Sequence, residues 1–228
     1  GDVYKRQKED IQPTREEVEG AFIKSVNEIL KGGGKVLIPI PAVGRAQELM
    51  MVIDKYMKSG QLTESPVFME GMIQEATAIH EAHPEYLERS LKQKILETDD
   101  NPFDSEYFTN IEHADSRDEP LREDSPCIVI ATSGMLEGGP VLEYFRNFAP
   151  DKRNKILFVS YQVNGTLGRR VMDGARQVTI MGQDGKVQVV TINCGTEKLE
   201  GFSGHSDYNQ LMSYVQRLRP KLRRVLVN

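Results

Sequence analysis

The chain has 228 residues, 39% of them apolar and 28% charged, the balance of one or two globular domains. Its net charge of −5 excludes a nucleic-acid binder that works by bulk positive charge, but not one with a local basic groove. No apolar run is long enough to span a membrane, no signal peptide opens the chain, and Cys127 and Cys194 lie in no metal-like or disulfide spacing, as expected in a reducing cytoplasm.

Residues 1–7 contain "VYKRQ", which reads like a translated sequencing adaptor, and are expected to be a non-native leader. The end at "RRVLVN" resembles an unfinished strand, so a gene fragment is expected. Thr14 with Glu17 forms a capping-box signature, and Val18, Phe22, Val26 and Ile29 follow at helical spacing up to Gly32-Gly33-Gly34. "KVLIPIPAV" (35–43) is a nearly all-apolar run, as expected of a strand covered on both faces. A helix follows, with Leu49, Ile53 and Tyr56 on one face and Gly60 past its end.

The same unit recurs three times. "PVFME" leads into 71–82, "CIVIAT" into 133–148, and "KILFVSY" into 162–174. Alternation of this kind predicts an α/β fold with a parallel sheet flanked by helices. Residues 176–192 differ, reading as two alternating strands of a hairpin around Asp184-Gly185. The acid-rich stretches 97–108 and 112–125 read as surface loops, with 115–124 a solvated face without chemistry of its own.

Each strand-to-helix junction carries small residues: Val43-Gly44-Arg45, Glu70-Gly71-Met72, Thr132-Ser133-Gly134 and Asn164-Gly165-Thr166. Ligands of open α/β sheets bind beyond the carboxyl ends of the strands, where glycine admits a ligand to the backbone and helix N-termini attract anions. Any one such turn is ordinary architecture. Several, with Arg45 and Arg169 beside them, favour a phosphate-bearing ligand.

In "GFSGHSDYNQL", Asp207 reads as a helix N-cap with Gln210 at N3, and Leu211, Tyr214, Val215 and Leu218 as a buried stripe. His205 then precedes a helix N-terminus, whose dipole disfavours imidazolium. Two roles fit: a neutral histidine hydrogen-bonded in a turn, or a proton donor balanced by a carboxylate or substrate phosphate. His80 and His83 are one residue short of zincin spacing and read as a surface or interdomain pair. The basic run 217–224 reads either as a guide for an RNA backbone or as a solvated helix end.

Four motifs in order, "KVLIPIPAVGRAQELM", "IVIATSGMLEGGPVLEYF", "DKRNKILFVSYQVNGTLGRRV" and "GFSGHSDYNQLMSYV", resemble the metallo-β-lactamase/β-CASP ribonucleases, over nearly the whole chain. The nearest resemblance is to archaeal homologues of the cleavage and polyadenylation specificity factor endonuclease, and "MEGMIQEATAIHEAHPEYL" resembles their KH-containing branch. The resemblance implies a β-CASP domain at 8–200 and, from 201–228, the incomplete return segment of a metallo-β-lactamase-like domain. It implies a zinc-dependent ribonuclease hydrolysing RNA phosphodiester bonds, homodimeric in the parent, with two zinc ions whose ligands lie outside this chain. The chain alone is then not expected to cleave RNA.

By the same resemblance His205 matches a family histidine that contacts the scissile phosphate and is a candidate general acid. Gly44, Arg45, Ser133, Gly134, Gly165, Arg169, Ser203 and Gly204 are expected to contact substrate. A non-catalytic RNA-clamping or assembly module is the alternative, and a stand-alone nucleotide-binding domain lacks any glycine-rich phosphate motif.

Overall fold

A computed structural model describes residues 11–98, 100–122, 125–182, 185–202 and 206–218. Helix α1 (Arg15–Lys31) starts where the capping box puts it: the Glu17 amide donates to Thr14 Oγ1, and the Thr14 amide donates to Glu17 Oε2 at 2.7 Å. Its apolar stripe buries Val18, Phe22, Val26 and Leu30. Strand β1 (Val36–Pro39) is buried throughout, and α2 (Arg45–Lys58), β2 (Val67–Glu70) and α3 (Ile73–Ala82) continue the alternation.

Next come α4 (Arg89–Glu97), β3 (Phe108–Ile111), α5 (Asp118–Leu121), β4 (Ile128–Ala131), α6 (Val141–Phe148), β5 (Lys155–Phe158) and α7 (Leu167–Met172). The chain then forms β6 (Gln177–Met181), β7 (Val187–Thr191), β8 (Gly195–Lys198) and α8 (Tyr208–Leu218).

Six strands make one sheet in the order β3-β2-β4-β1-β5-β8, and every neighbouring pair is parallel. Strand periodicity divides the core in two. Val36, Ile38, Val67, Met69, Ile128, Ile130 and Leu157 face α1 and α2. Leu37, Phe68, Val129, Ile156 and Phe158 face α6, α7 and the inner side of the hairpin. That hairpin, β6 paired antiparallel with β7, is the two-stranded unit expected from the sequence, although Asp184 lies outside the described residues.

Three expectations need correction. The acidic stretches are only in part surface loops: Phe103 in the first is buried, the second carries α5, and at their junction Phe108 opens edge strand β3, paired to β2. A strand with one neighbour needs no second apolar face, so its signal is faint. Nor is 115–122 solvated throughout: Asp115, Ser116, Asp118 and Glu119 are exposed, but Arg117 forms a largely buried ion pair with Glu70, and the Pro120 carbonyl accepts from buried Lys35 Nζ at 2.7 Å. Finally, the α8 stripe is not buried; Leu211 is 40% and Tyr214 64% exposed, because no described element packs over it. Amphipathic spacing reports a preference for a partner, and this chain's described residues supply none.

Candidate functional site

Parallel pairing puts the carboxyl ends of all six strands on one edge. From β1 the chain crosses over β4 to reach β2; from β4 it crosses over β1 to reach β5. Adjacent strands whose continuations leave in opposite directions open a crevice at their carboxyl ends. The loops after β1, β4 and β5 meet there.

After β1, Gly44 adopts φ 77°, and α2 begins at Arg45. The turn is held by Gln47, itself 2% exposed. Its Oε1 accepts the Gly44 amide at 2.7 Å, while its Nε2 donates to the Ala42 carbonyl and to Thr77 Oγ1. The Ala46 and Gln47 amides fall in the first turn, where a helix has no acceptor of its own. Arg45 donates to Glu48, a carboxylate it shares with Arg15.

After β4, the Thr132–Ser133 peptide is cis, and Ser133 Oγ accepts the Glu137 amide at 3.1 Å. Gly134 is buried, and a Cβ there would lie 2.8 Å from Pro41 Cδ. Its bare backbone is what lets the loops after β4 and β1 touch. After β5, Gly165 adopts φ 92° with open space around it.

The first turn of α7 is already filled. Thr166 Oγ1 accepts the Arg169 amide, the Met135 carbonyl accepts the Gly168 amide at 2.9 Å, and the Glu137 carboxylate accepts the Leu167 amide. Of these two helices, α2 is therefore the one whose N-terminus faces the crevice uncapped by another loop. Arg169 Nε donates to Asp173 at 2.8 Å, which holds the guanidinium pKa above its ordinary value. Gln162, wholly buried, donates Nε2 to the carbonyls of Gly134 and Ser160 and so ties the loops after β5 and β4 together.

The segment after β8 leaves from the same edge, with the Leu199 amide donating to the Phe158 carbonyl. Phe202 packs edge-on against Phe22 with centroids 6.0 Å apart, beneath the Arg15 guanidinium. A Cβ at Gly201 would sit 2.2 Å from Val18 Cγ2. On the far side, Asp207 accepts the amides of Gln12 and Gln210, and its own amide donates to Gln210 Oε1, completing the expected cap. Ser203, Gly204 and His205 lie outside the described residues. Their described flanks are thus anchored on the N-terminal half of α1 through Gly201 and Phe202 and on Gln12, just ahead of that helix, through Asp207, and Arg15 joins the anchor to Glu48 and Arg45.

Gly44, Arg45, Ser133, Gly134, Gly165 and Arg169 therefore come together at one edge. His80 and His83 do not join them; His80 Nδ1 is 2.6 Å from the Ala76 carbonyl of its own helix, and His83 meets exposed Glu85. Both cysteines are buried, which pushes their thiols up to about 11 (Cys127) and about 12 (Cys194), leaving them protonated at neutral pH. Among the described residues no group of three or more His, Cys, Asp or Glu side chains can hold a metal ion, so the described residues do not fit a zinc site.

Several residues the sequence did not single out shape this edge: Gln47, Glu137 and Gln162, with Arg117 and Tyr144 gathered on Glu70, which the sequence marked only as the residue before Gly71 at its junction. Arg117 Nε donates to both Glu70 carboxylate oxygens at 3.0 and 2.9 Å, and Tyr144 Oη donates to Glu70 Oε2 at 2.6 Å. The ion pair raises the Arg117 pKa, while burial and then Glu70 push the Tyr144 hydroxyl upward. The one available signal was a carboxylate closing the apolar run "PVFME".

Residues 46–171 match a family model described as the Beta-Casp domain, and residues 189–228 match one described as the Zn-dependent metallo-hydrolase RNA specificity domain. The chain is 78% identical to the transcription termination factor FttA of Cenarchaeum symbiosum, over 97% of its own length and 34% of that protein. It is 48% identical to the Pyrococcus abyssi protein of the same name and 46% to that of Methanocaldococcus jannaschii, covering 95% and 96% of this chain and 33% and 34% of theirs. The chain thus spans about a third of the length of the curated relatives it matches. No helix among the described residues is long and apolar enough to cross a membrane.

Proposed function

The chain belongs to the Beta-Casp family, and from that premise we propose that it is the RNA-gripping part of a zinc-dependent ribonuclease acting in transcription termination. The observation that carries the reading is the meeting of three strand-to-helix loops at one switch point, with Arg45 and Arg169 beside it. Gly44, Arg45, Ser133, Gly165 and Arg169 are assigned to the RNA backbone, with Gly134 beneath them, and Ser203 and Gly204 are assigned to the substrate by the family resemblance alone. Val43, Tyr161 and Val163, exposed apolar side chains on the loops after β1 and β5, with exposed Met72 on the loop after β2, offer surfaces on which unstacked bases can rest.

His205 is assigned to the reaction itself. It would neutralise a non-bridging phosphate oxygen or give its proton to the departing 3′-oxygen, a contribution of about 10²–10⁴-fold. The substrate's negative charge would offset the helix dipole that otherwise disfavours imidazolium. Zinc, two ions in this reading, is assigned to parts of the parent beyond this chain, which we take to be cytoplasmic and homodimeric. The chain by itself is then expected to hold RNA without cutting it.

In a second reading the chain belongs to a non-catalytic RNA clamp, and the parts of the parent beyond this chain decide between the two, because both readings leave the described residues without a metal-holding cluster. One experiment separates the two. His205→Ala in the full-length parent is assayed for RNA cleavage and bound zinc together. Cleavage should fall at least a hundredfold with zinc retained. Unchanged cleavage removes the role of His205, a parent inactive as wild type supports the clamp, and lost zinc makes His205 a ligand instead.

A further inference from the structure

Glu70 holds both ends of the loop that follows β4. Its backbone carbonyl accepts the amide of Thr132, the first loop residue, at 3.3 Å. Its carboxylate accepts from Tyr144 on α6, the helix on which the loop ends. Thr132 closes the circuit, its carbonyl accepting the Val141 amide at 3.0 Å. Two glycines make the approach possible: a Cβ at Gly71 would lie 2.0 Å from Thr132 Oγ1, and one at Gly139 2.8 Å from the Thr132 carbonyl.

Stability alone is a poor reason to keep this cluster. Glu70 is 8% exposed, Tyr144 is fully buried, and Arg117 is withdrawn from water to balance the charge. Buried ion pairs are often replaceable by apolar groups without loss of stability, because desolvation offsets their attraction. What an apolar trio cannot do is fix one geometry through directional bonds. The carboxylate takes Arg117 on one side and the Tyr144 hydroxyl on the other, and so sets β2, α6 and the 112–122 segment relative to one another.

We propose that Glu70, with Arg117 and Tyr144, is a positioning residue: it fixes the conformation of loop 132–140 so that Ser133 and its backbone neighbours meet single-stranded RNA in the crevice. The proposal rests on the RNA-binding reading above. It acts through the loop; none of the three side chains is assigned a contact with substrate.

The test uses the full-length parent with two variants, Tyr144→Phe and the apolar triple E70M/R117L/Y144F. For each, affinity for a single-stranded RNA oligonucleotide, thermal midpoint and amide hydrogen exchange over 132–140 are measured. Tyr144→Phe keeps the ring packing and removes one charge-assisted hydrogen bond, so RNA affinity should fall about five- to tenfold, with faster exchange confined to that loop. The triple variant should melt near the wild-type temperature yet show the same losses. If it melts normally, binds RNA as wild type and protects the loop, the cluster is only structural and the proposal is overturned. A wild-type parent that does not bind RNA sinks the RNA reading instead; loop exchange then still decides whether Glu70 positions the loop.

Discussion

Tyr144 and Glu70 meet at 2.6 Å across 74 residues of chain, one from the middle of a helix and the other from the last position of a strand. The contact lies at the carboxyl edge of the sheet, where Gln47 and Gln162 make similar buried links. Each ties the end of one βα connection to another. The edge is thus built from loops locked by internal polar bonds, a rigid support of the kind a ligand site needs.

Arg45 should contribute to RNA affinity through charge. In the parent protein, Arg45→Ala is expected to weaken single-stranded RNA binding across sequences alike. The slope of log affinity against log salt should become shallower by roughly 0.7, as for loss of one phosphate contact. Titrations at several salt concentrations check this; an unchanged slope would place Arg45 off the RNA path.

Gln47 is expected to matter more for stability than its polarity suggests. Gln47→Met retains most of the volume but leaves the Gly44 amide and Ala42 carbonyl without their partner. A loss of about 1–3 kcal/mol follows from such orphaned groups. Urea unfolding of wild type and variant gives the number, and a difference near zero would mean that water replaces the amide.

Gly168 and Gly165 should respond to alanine for different reasons. At Gly168 the added carbon would stand 2.0 Å from Gln162 Oε1 and 2.9 Å from the Met135 carbonyl, so the two loops must part, costing about 1–3 kcal/mol and weakening RNA binding. At Gly165 the space is open and only the positive φ is strained, costing about 1–2 kcal/mol. Melting and RNA titration together distinguish them: Gly165→Ala should leave the link between the loops intact.

Asp100 gives a pH signature. Its carboxyl is held down to about 2 by Lys58 on α2 and Lys94 on α4. A depressed acid stabilises the fold above its unfolded pKa near 3.8, and that contribution is lost as pH falls through about 2. The side chain is 43% exposed, so screening limits the effect to under about 1 kcal/mol. Asp100→Asn should therefore be slightly less stable than wild type at pH 6, and the gap should shrink to a small fraction by pH 2 and in 1 M salt. A gap undiminished at pH 2 would trace to packing instead of charge.

Whatever depends on near neighbours was legible in the order of residues alone. The box at Thr14 and Glu17 and its counterpart at Asp207 and Gln210 are bonds within one turn. Strands β1, β2, β4 and β5 announced themselves because a strand covered on both faces must be apolar at every position. The antiparallel hairpin followed from its alternation. The edge strand at Phe108 did not, since one free edge and partial exposure leave no such pattern.

Tertiary structure decided the rest. Strand order sets which loops share a crevice, and nothing local says that β1 lies between β4 and β5. The link from Glu70 to Arg117 spans 47 residues, and a charge met in an acidic stretch carries no mark of the carboxylate it will neutralise. Likewise α8 shows an apolar stripe whether or not a partner covers it. Local sequence fixes hydrogen bonds and burial preference along the chain; which distant groups meet depends on how closed segments pack, and that is a property of the whole fold.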